Sequence, residues 1–416
     1  MQYLLKKCTS AHSMTSRIMT TSRIIMTKKN LLVIGATGFV GRRFCQYLLD
    51  QNYDKKLNLK FSARNKDKFK KVFSSELGDR FEFRELDTLN NYQVKEVLKD
   101  VQFVANFAGP YDLYAKDVVS FCAKNGIDYF DITGEFPFIK KMIDLHHDEA
   151  LASKAKIIHC CGFDSVPSEV AAIKSAEVFH AKFKKFPQEV SSIFQLKGGF
   201  NGGTLYSASN ILKTVKPKEF NNLTYLCNTA SRYVAQSTTR KFQYKNINAS
   251  PFFMESINSK IIFRGFEQLG LKEVLTSSVY REYFTLFKSS PLFLQKAITG
   301  GLYGFNKLLT TKGGKKLVGI LGPKPGEGPN EKQIKEGFFK ATSICHINGK
   351  EVPTIEISGT GDPGNIVTVN CMLSVLDCLI EEANQEVGGF LTPYATYKEK
   401  LIQNLKNHQI TLKVLL

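Results

Sequence analysis

None of the nine cysteines, at positions 8, 45, 122, 160, 161, 227, 345, 371 and 378, stands in a Cys-x-x-Cys pair. With an odd number as well, neither a disulfide framework nor a zinc ribbon is indicated, and reduced thiols inside a cell are expected. The chain has no Gly-x-Ser-x-Gly elbow and no His-Glu-x-x-His, so a serine-triad hydrolase and a zinc hydrolase are not indicated either. His146 and His147 are neighbours on a predicted helix, where side chains diverge by about 100° and cannot face one metal ion. No long apolar run is present. The most apolar stretch, Tyr283 to Leu309, is broken by Lys288, Lys296 and Lys307, short of the ~20 residues that a membrane span requires. Internal repeats, low-complexity linkers, zinc fingers, RNP-like motifs and Arg-rich runs are also missing.

The 416 residues exceed one compact core and call for two domains. A composition of 43% hydrophobic and 23% charged residues is that of a folded protein. The formal charge of +19 attracts anions, but the cations are spread along the chain, so nucleic acid is not the expected partner. Residues 1–29 carry Lys6, Lys7, Arg17, Arg23, Lys28 and Lys29 with many Ser and Thr, and the first acid of the chain is Asp50. Such a leader fits a mitochondrial transit segment, or a tail before a start near Met26. Tyr283 to Gly326 is also free of acids and holds seven lysines among apolar groups. That pattern suits an anionic membrane surface or lipid droplet, or equally a core helix followed by a solvated basic loop.

Leu31-Leu-Val-Ile-Gly35 reads as a parallel strand buried on both faces. Further strands are expected at 58–62, 81–86, 101–107, 129–132 and 156–160, with helices at 39–49, 66–73, 92–98, 115–124 and 138–152 between them. That alternation specifies an α/β, doubly wound parallel sheet of Rossmann type over residues 30–185. From about Val190 the rhythm changes to longer strands, such as 190–195 and 354–358. This gives a second, α+β domain for substrate or association at 186–416, whose C-terminal segments can return to the first.

Gly35-Ala36-Thr37-Gly38-Phe39-Val40-Gly41 joins the first strand to the first helix. The spacing suits a sharp turn at Gly35, a pyrophosphate over Gly38 and close helix packing at Gly41. At the end of the second strand, where an acid would bind a free ribose 2′-hydroxyl, stand Ala63 and Arg64. A cation there favours the 2′-phosphate of NADP(H), with NAD(H) as the alternative, and a solvated Arg64 remains open. Asp87 is placed for the adenine amino group or a helix cap, and Gly109-Pro110-Tyr111 for the nicotinamide half.

Together with Tyr129-Phe-Asp-Ile-Thr-Gly-Glu135, Cys161-Gly-Phe-Asp-Ser-Val-Pro167, Gly359-Thr-Gly-Asp-Pro-Gly364 and Gly388-Gly-Phe-Leu-Thr-Pro393, these motifs resemble the saccharopine dehydrogenase-like oxidoreductases. That family also includes bacterial trans-acting enoyl reductases. The resemblance covers most of the chain after Met26 and implies a nicotinamide-dependent oxidoreductase without naming a substrate. Hydride transfer often needs an acid for the accompanying proton. Tyr111, Asp131, Glu135 and Asp164 lie at strand ends facing a shared cleft; Glu135 is the first choice, with Tyr111 and Asp131 behind it. Its alternative role is a cap or ion pair at a helix start, and capping is the expected role of Asp164 and Ser165. The leading expectation is reduction of a lipid-like or acyl substrate. The alternatives are a saccharopine-type amino-acid dehydrogenase and a non-catalytic NADP-binding scaffold at a membrane; a homo-oligomer is compatible with each.

Overall fold

The computed structural model describes residues 28–73, 79–199, 215–234, 242–244, 247–252, 254–285, 328–382 and 387–416, with Gly300 alone between them. The leader up to residue 27 and, apart from Tyr283–Thr285 and Gly300, the acid-free basic stretch to Gly326 lie outside the described residues.

Six strands, β1 (Lys29–Ile34), β2 (Leu57–Ala63), β3 (Glu82–Glu85), β4 (Phe103–Asn106), β5 (Asp128–Asp131) and β6 (Lys156–Ile158), form a parallel sheet in the order β3-β2-β1-β4-β5-β6. This is the doubly wound order with its switch point beside β1. The first strand is central because it can be buried twice: Leu31 and Val33 join one hydrophobic cluster, Leu32 and Ile34 the cluster on the opposite face. The crossovers are α1 (Phe39–Asp50), α2 (Lys66–Val72), α3 (Asn91–Leu98), α4 (Tyr111–Tyr114), α5 (Lys116–Asn125) and α6 (Phe136–Ser153). The single helix expected at 115–124 is thus preceded by a separate turn, α4, whose start is held by a carboxylate from elsewhere.

The second sheet begins with β7 (Glu189–Lys197), after α7 (Val166–Phe183), and continues with β8 (Phe242–Tyr244), β9 (Ile247–Pro251), β10 (Val279–Thr285), β11 (Phe338–Ile347) and β12 (Lys350–Thr360). A strand near the C-terminus, Ile410–Val414, completes it at the edge beside β12. All pairs are antiparallel except β7 with β10. Asn348 and Gly349 make the β11–β12 turn with φ of +48° and +74°, the left-handed pair that a two-residue hairpin demands. Helix α7 packs beneath β7, β11 and β12, and helix Glu255–Gln268 packs on α7 and β10.

After β12 the chain returns to the first sheet. Helix Thr368–Glu381 packs on α1 and β5; with the preceding turn it is apolar and long enough to cross a membrane, but most of it is buried inside the protein. β13 (Gly389–Leu391) then joins the first sheet parallel to β6. Arg264 and Gln268 from helix Glu255–Gln268 both donate to Phe390 O, at 2.7 and 2.8 Å. Glu169 on α7 accepts from Tyr394 N at 3.1 Å and Ala395 N at 3.4 Å, capping helix Pro393–Tyr397.

Burying an ionised carboxylate costs several kcal/mol, whereas a hydrogen bond to a charged group returns about 1.5–3 kcal/mol. Two such bonds leave the balance near zero, and burial accordingly pushes the Glu169 carboxyl up to about 7. Because this lies above the ~4.3 of an exposed glutamate, the linked stability is fully present below pH ~4.3 and is lost as pH rises through 7. Chemical denaturation at pH 5 and at pH 7.5 should therefore show a smaller loss of stability in Glu169→Gln than in the parent. Equal losses would place that titration on other groups.

Candidate functional site

Gly35 leaves β1 with φ of +80°, and Gly38 N donates back to Gly35 O at 2.9 Å. A Cβ at Gly41 would stand 2.3 Å from Gly35 O, so a side chain there would lift α1 off the turn. At Gly38 an added Cβ would meet only Gly35 O, at 3.1 Å, and the space beyond is open. Helix α1 has no side-chain cap and no acid in its first turn, so its leading N–H groups and the positive end of its dipole are available to an anion. A pyrophosphate fits this donor set. Thr37 in the loop and Val40 in the first turn of α1 are half-buried, and the Phe39 ring carries the Arg42 and Arg43 guanidinium groups at 5.1 and 5.3 Å from its centroid.

At the end of β2, Ala63 is buried and Arg64 is exposed, with its guanidinium 5.7 Å from the centroid of Tyr114 in α4. Asn65 beside it caps α2 through a 2.7 Å bond from Lys68 N. Asp87 shapes its own turn: its Oδ1 accepts from Leu89 N at 3.1 Å and its N–H donates to Gln93 Oε1 at 2.8 Å. The cap of α3 is Asn90. Gly109 is exposed, and Pro110, joined to it by a cis bond, precedes α4.

The three residues expected to handle protons are buried and occupied. Glu135 accepts from Tyr111 N at 3.0 Å with one oxygen and from Asp112 N at 3.1 Å with the other, so it caps α4 while opening α6. The Tyr111 hydroxyl donates to Asn106 O at 3.0 Å. Asp131 accepts from the Tyr129 hydroxyl at 2.8 Å and Thr133 N at 3.0 Å, and its Oδ2 lies 2.8 Å from His159 Nδ1. Asn106 Nδ2 donates to the Tyr129 oxygen at 3.0 Å. Sequence reasoning missed Asn106, Tyr129 and His159, because no local pattern links residues on or beside three separate strands. Cys160 holds φ of +62° with its thiol 2.8 Å from Thr133 O. Burial raises both the Cys160 and Cys161 thiols well above the usual range, which suppresses thiolate chemistry.

Asp164 differs from these carboxylates. The expectation that it and Ser165 cap α7 is corrected: Ser165 occupies the cap position, no side chain makes the cap bond, and the Ser165 hydroxyl donates to Asn258 Oδ1 at 2.9 Å. Asp164 has no hydrogen-bond or ion-pair partner among the described residues, is only partly buried, and is pushed up to about 6 by desolvation alone. It lies at the domain seam, after Phe163, whose ring packs on Phe194 of β7 and Phe339 of β11 at 6.2 and 5.0 Å. Ligands in such sheets gather at these carboxyl ends.

Gly38→Val should abolish NADPH binding in a folded protein, because the branch would occupy the open space above the helix start; unchanged affinity by calorimetry would reduce the loop to a turn. Arg64→Ala should narrow the preference for NADPH over NADH. Equal affinities for the two cofactors in the parent protein would remove Arg64 from the 2′-phosphate.

Residues 31–158 match the family described as saccharopine dehydrogenase NADP binding domain. A Mycobacterium tuberculosis protein named trans-acting enoyl reductase is 24% identical over 419 residues, covering 90% of this chain and 95% of its own. The Mycobacterium leprae trans-acting enoyl reductase is 34% identical over 144 residues, 34% of each chain. Among solved structures, apo saccharopine dehydrogenase (L-Glu forming) from Saccharomyces cerevisiae superposes with a TM-score of 0.52 at 12% identity, covering 93% of this chain and all of that one, and so shares the fold. Glycine loop, strand order and these likenesses agree: residues 31–158 match an NADP-binding domain, and the chain is an NADP(H)-dependent oxidoreductase that is similar to the saccharopine dehydrogenases and trans-acting enoyl reductases.

Proposed function

We propose that this protein reduces an acyl or lipid-like substrate at the expense of NADPH, with α,β-unsaturated acyl thioesters as the first class to test. The observation that carries the reading is the likeness to trans-acting enoyl reductases, which spans both domains. The buried cations support it. A saccharopine-type substrate brings several carboxylates, which call for cations in the cleft, yet each buried cation among the described residues is already engaged. Lys60 pairs with Asp100, Lys156 with Glu382 and Arg281 with Glu255. Lys260 and Arg264 donate to backbone carbonyls.

Bound NADPH supplies a hydride to one carbon of the polarised double bond, and a proton must reach the other. Asp164 is the side chain fitted to deliver that proton. It is unpartnered among the described residues, open on one side, and holds its proton to about pH 6 because burial disfavours its anion. Glu135, whose oxygens receive two N–H groups, keeps the start of α4 in place beside the nicotinamide end. Peripheral membrane contact through the basic stretch and mitochondrial delivery by the leader are further proposals that rest on sequence alone.

NADPH oxidation should be followed with a panel of enoyl thioesters and of imines formed from amino-acid substrates. Turnover is expected with the thioesters, falling as pH rises above about 6, where Asp164 loses its proton. Asp164→Asn should lower the rate roughly 10²–10⁴-fold with NADPH affinity intact, while Glu135→Gln should lose stability more than rate. Turnover restricted to imines would return the amino-acid dehydrogenase reading, and NADPH binding without turnover the scaffold.

A further inference from the structure

A chain of buried side chains runs from the residue after Asp164 into the second domain. Ser165 donates to Asn258 Oδ1 on helix Glu255–Gln268 at 2.9 Å. The Asn258 amide nitrogen donates to Ser168 Oγ, one turn along α7, at 3.1 Å, and to the two oxygens of Glu282 on β10 at 3.1 and 3.0 Å. Tyr280 gives Glu282 Oε1 another bond at 2.6 Å. All five residues are buried. The orientation of the amide follows from its partners: its nitrogen is committed to a hydroxyl and a carboxylate, so its oxygen must face Ser165.

This arrangement is costly. A serine at a helix start would ordinarily bond to its own helix, and taking a carboxylate out of water costs several kcal/mol that its hydrogen bonds must offset. The neighbours do not neutralise Glu282: Glu255 on the facing helix is paired with Arg281 at 3.1 Å, strand β7 places Ser192 opposite in register, and α7 contributes Ser168. Burial pushes the Glu282 carboxyl up to about 7.

We infer that Asn258 and Glu282 are positioning residues that anchor Ser165 at the start of α7 and so fix the backbone from which the neighbouring Asp164 carboxyl projects. The inference rests on the reading of Asp164 as proton donor. It extends that reading by making the second domain a partner in the proton step.

The test uses the full chain with NADPH and an enoyl thioester, together with carbon-13 spectra of protein labelled at the aspartate carboxyl and assigned by Asp164→Asn. Asn258→Ala and the milder Ser165→Ala should each lower kcat roughly 10–10²-fold, leave the NADPH Kd within about twofold, and move the midpoint at which the Asp164 carboxyl titrates. Glu282→Gln, which can still bond to Asn258, should keep more of the rate than Asn258→Ala. If Asn258→Ala does not fold, Ser165→Ala carries the test alone. Unchanged kcat together with an unmoved Asp164 midpoint in folded Ser165→Ala would overturn the inference. A moved midpoint supports the linkage even if Asp164→Asn leaves turnover intact, a result that would overturn only the choice of proton donor.

Discussion

A buried carboxylate must find N–H or O–H donors, and among the described residues that requirement ties distant elements together. Glu135 joins the start of α6 to the start of α4. Glu169 joins α7 to the C-terminal helix Pro393–Tyr397. Glu282 joins β10 to helix Glu255–Gln268 and, through Asn258, to α7. Each bond set offsets a desolvation cost of several kcal/mol, so losing one donor should cost more than an exposed ion pair would. Asp164 is the exception among these acids, a carboxyl at the seam that no donor among the described residues satisfies, and on physical grounds this makes it the group most available for chemistry.

The same seam is crossed repeatedly by the chain. The second sheet follows α7, helix Thr368–Glu381 comes back to α1 and β5, β13 enters the first sheet, and the final strand leaves again for β12. Arg43 on the cofactor-binding helix pairs with Glu331 from the second half. Two sheets laced in this way are poorly suited to move as independent bodies.

What could be read in the sequence was what local spacing controls. The glycine loop, the alternation of strand and helix to residue 160, and the Ala63-Arg64 pair are encoded within a few residues. The roles of Asp164 and Ser165 were not legible, because capping is a local preference and the bond that displaces it comes from Asn258, 93 residues away. Glu135 was legible as a carboxyl at a strand end, but its partners, Tyr111 N and Asp112 N, are 24 and 23 residues distant. Glu169, inside α7, carries no signal in the sequence, because its partners stand more than two hundred residues on.

We propose that NADPH held over Gly38 delivers hydride to an unsaturated acyl group while the protein supplies the proton. The most direct test is to offer NADPH deuterated at one or the other face of the nicotinamide C4, with an enoyl thioester in ordinary water, and to analyse the product by mass spectrometry. One deuterium is expected at the β carbon from one face only, with hydrogen from solvent at the α carbon. Deuterium found in no acyl product from either face, with the protein folded and NADPH bound, would contradict it.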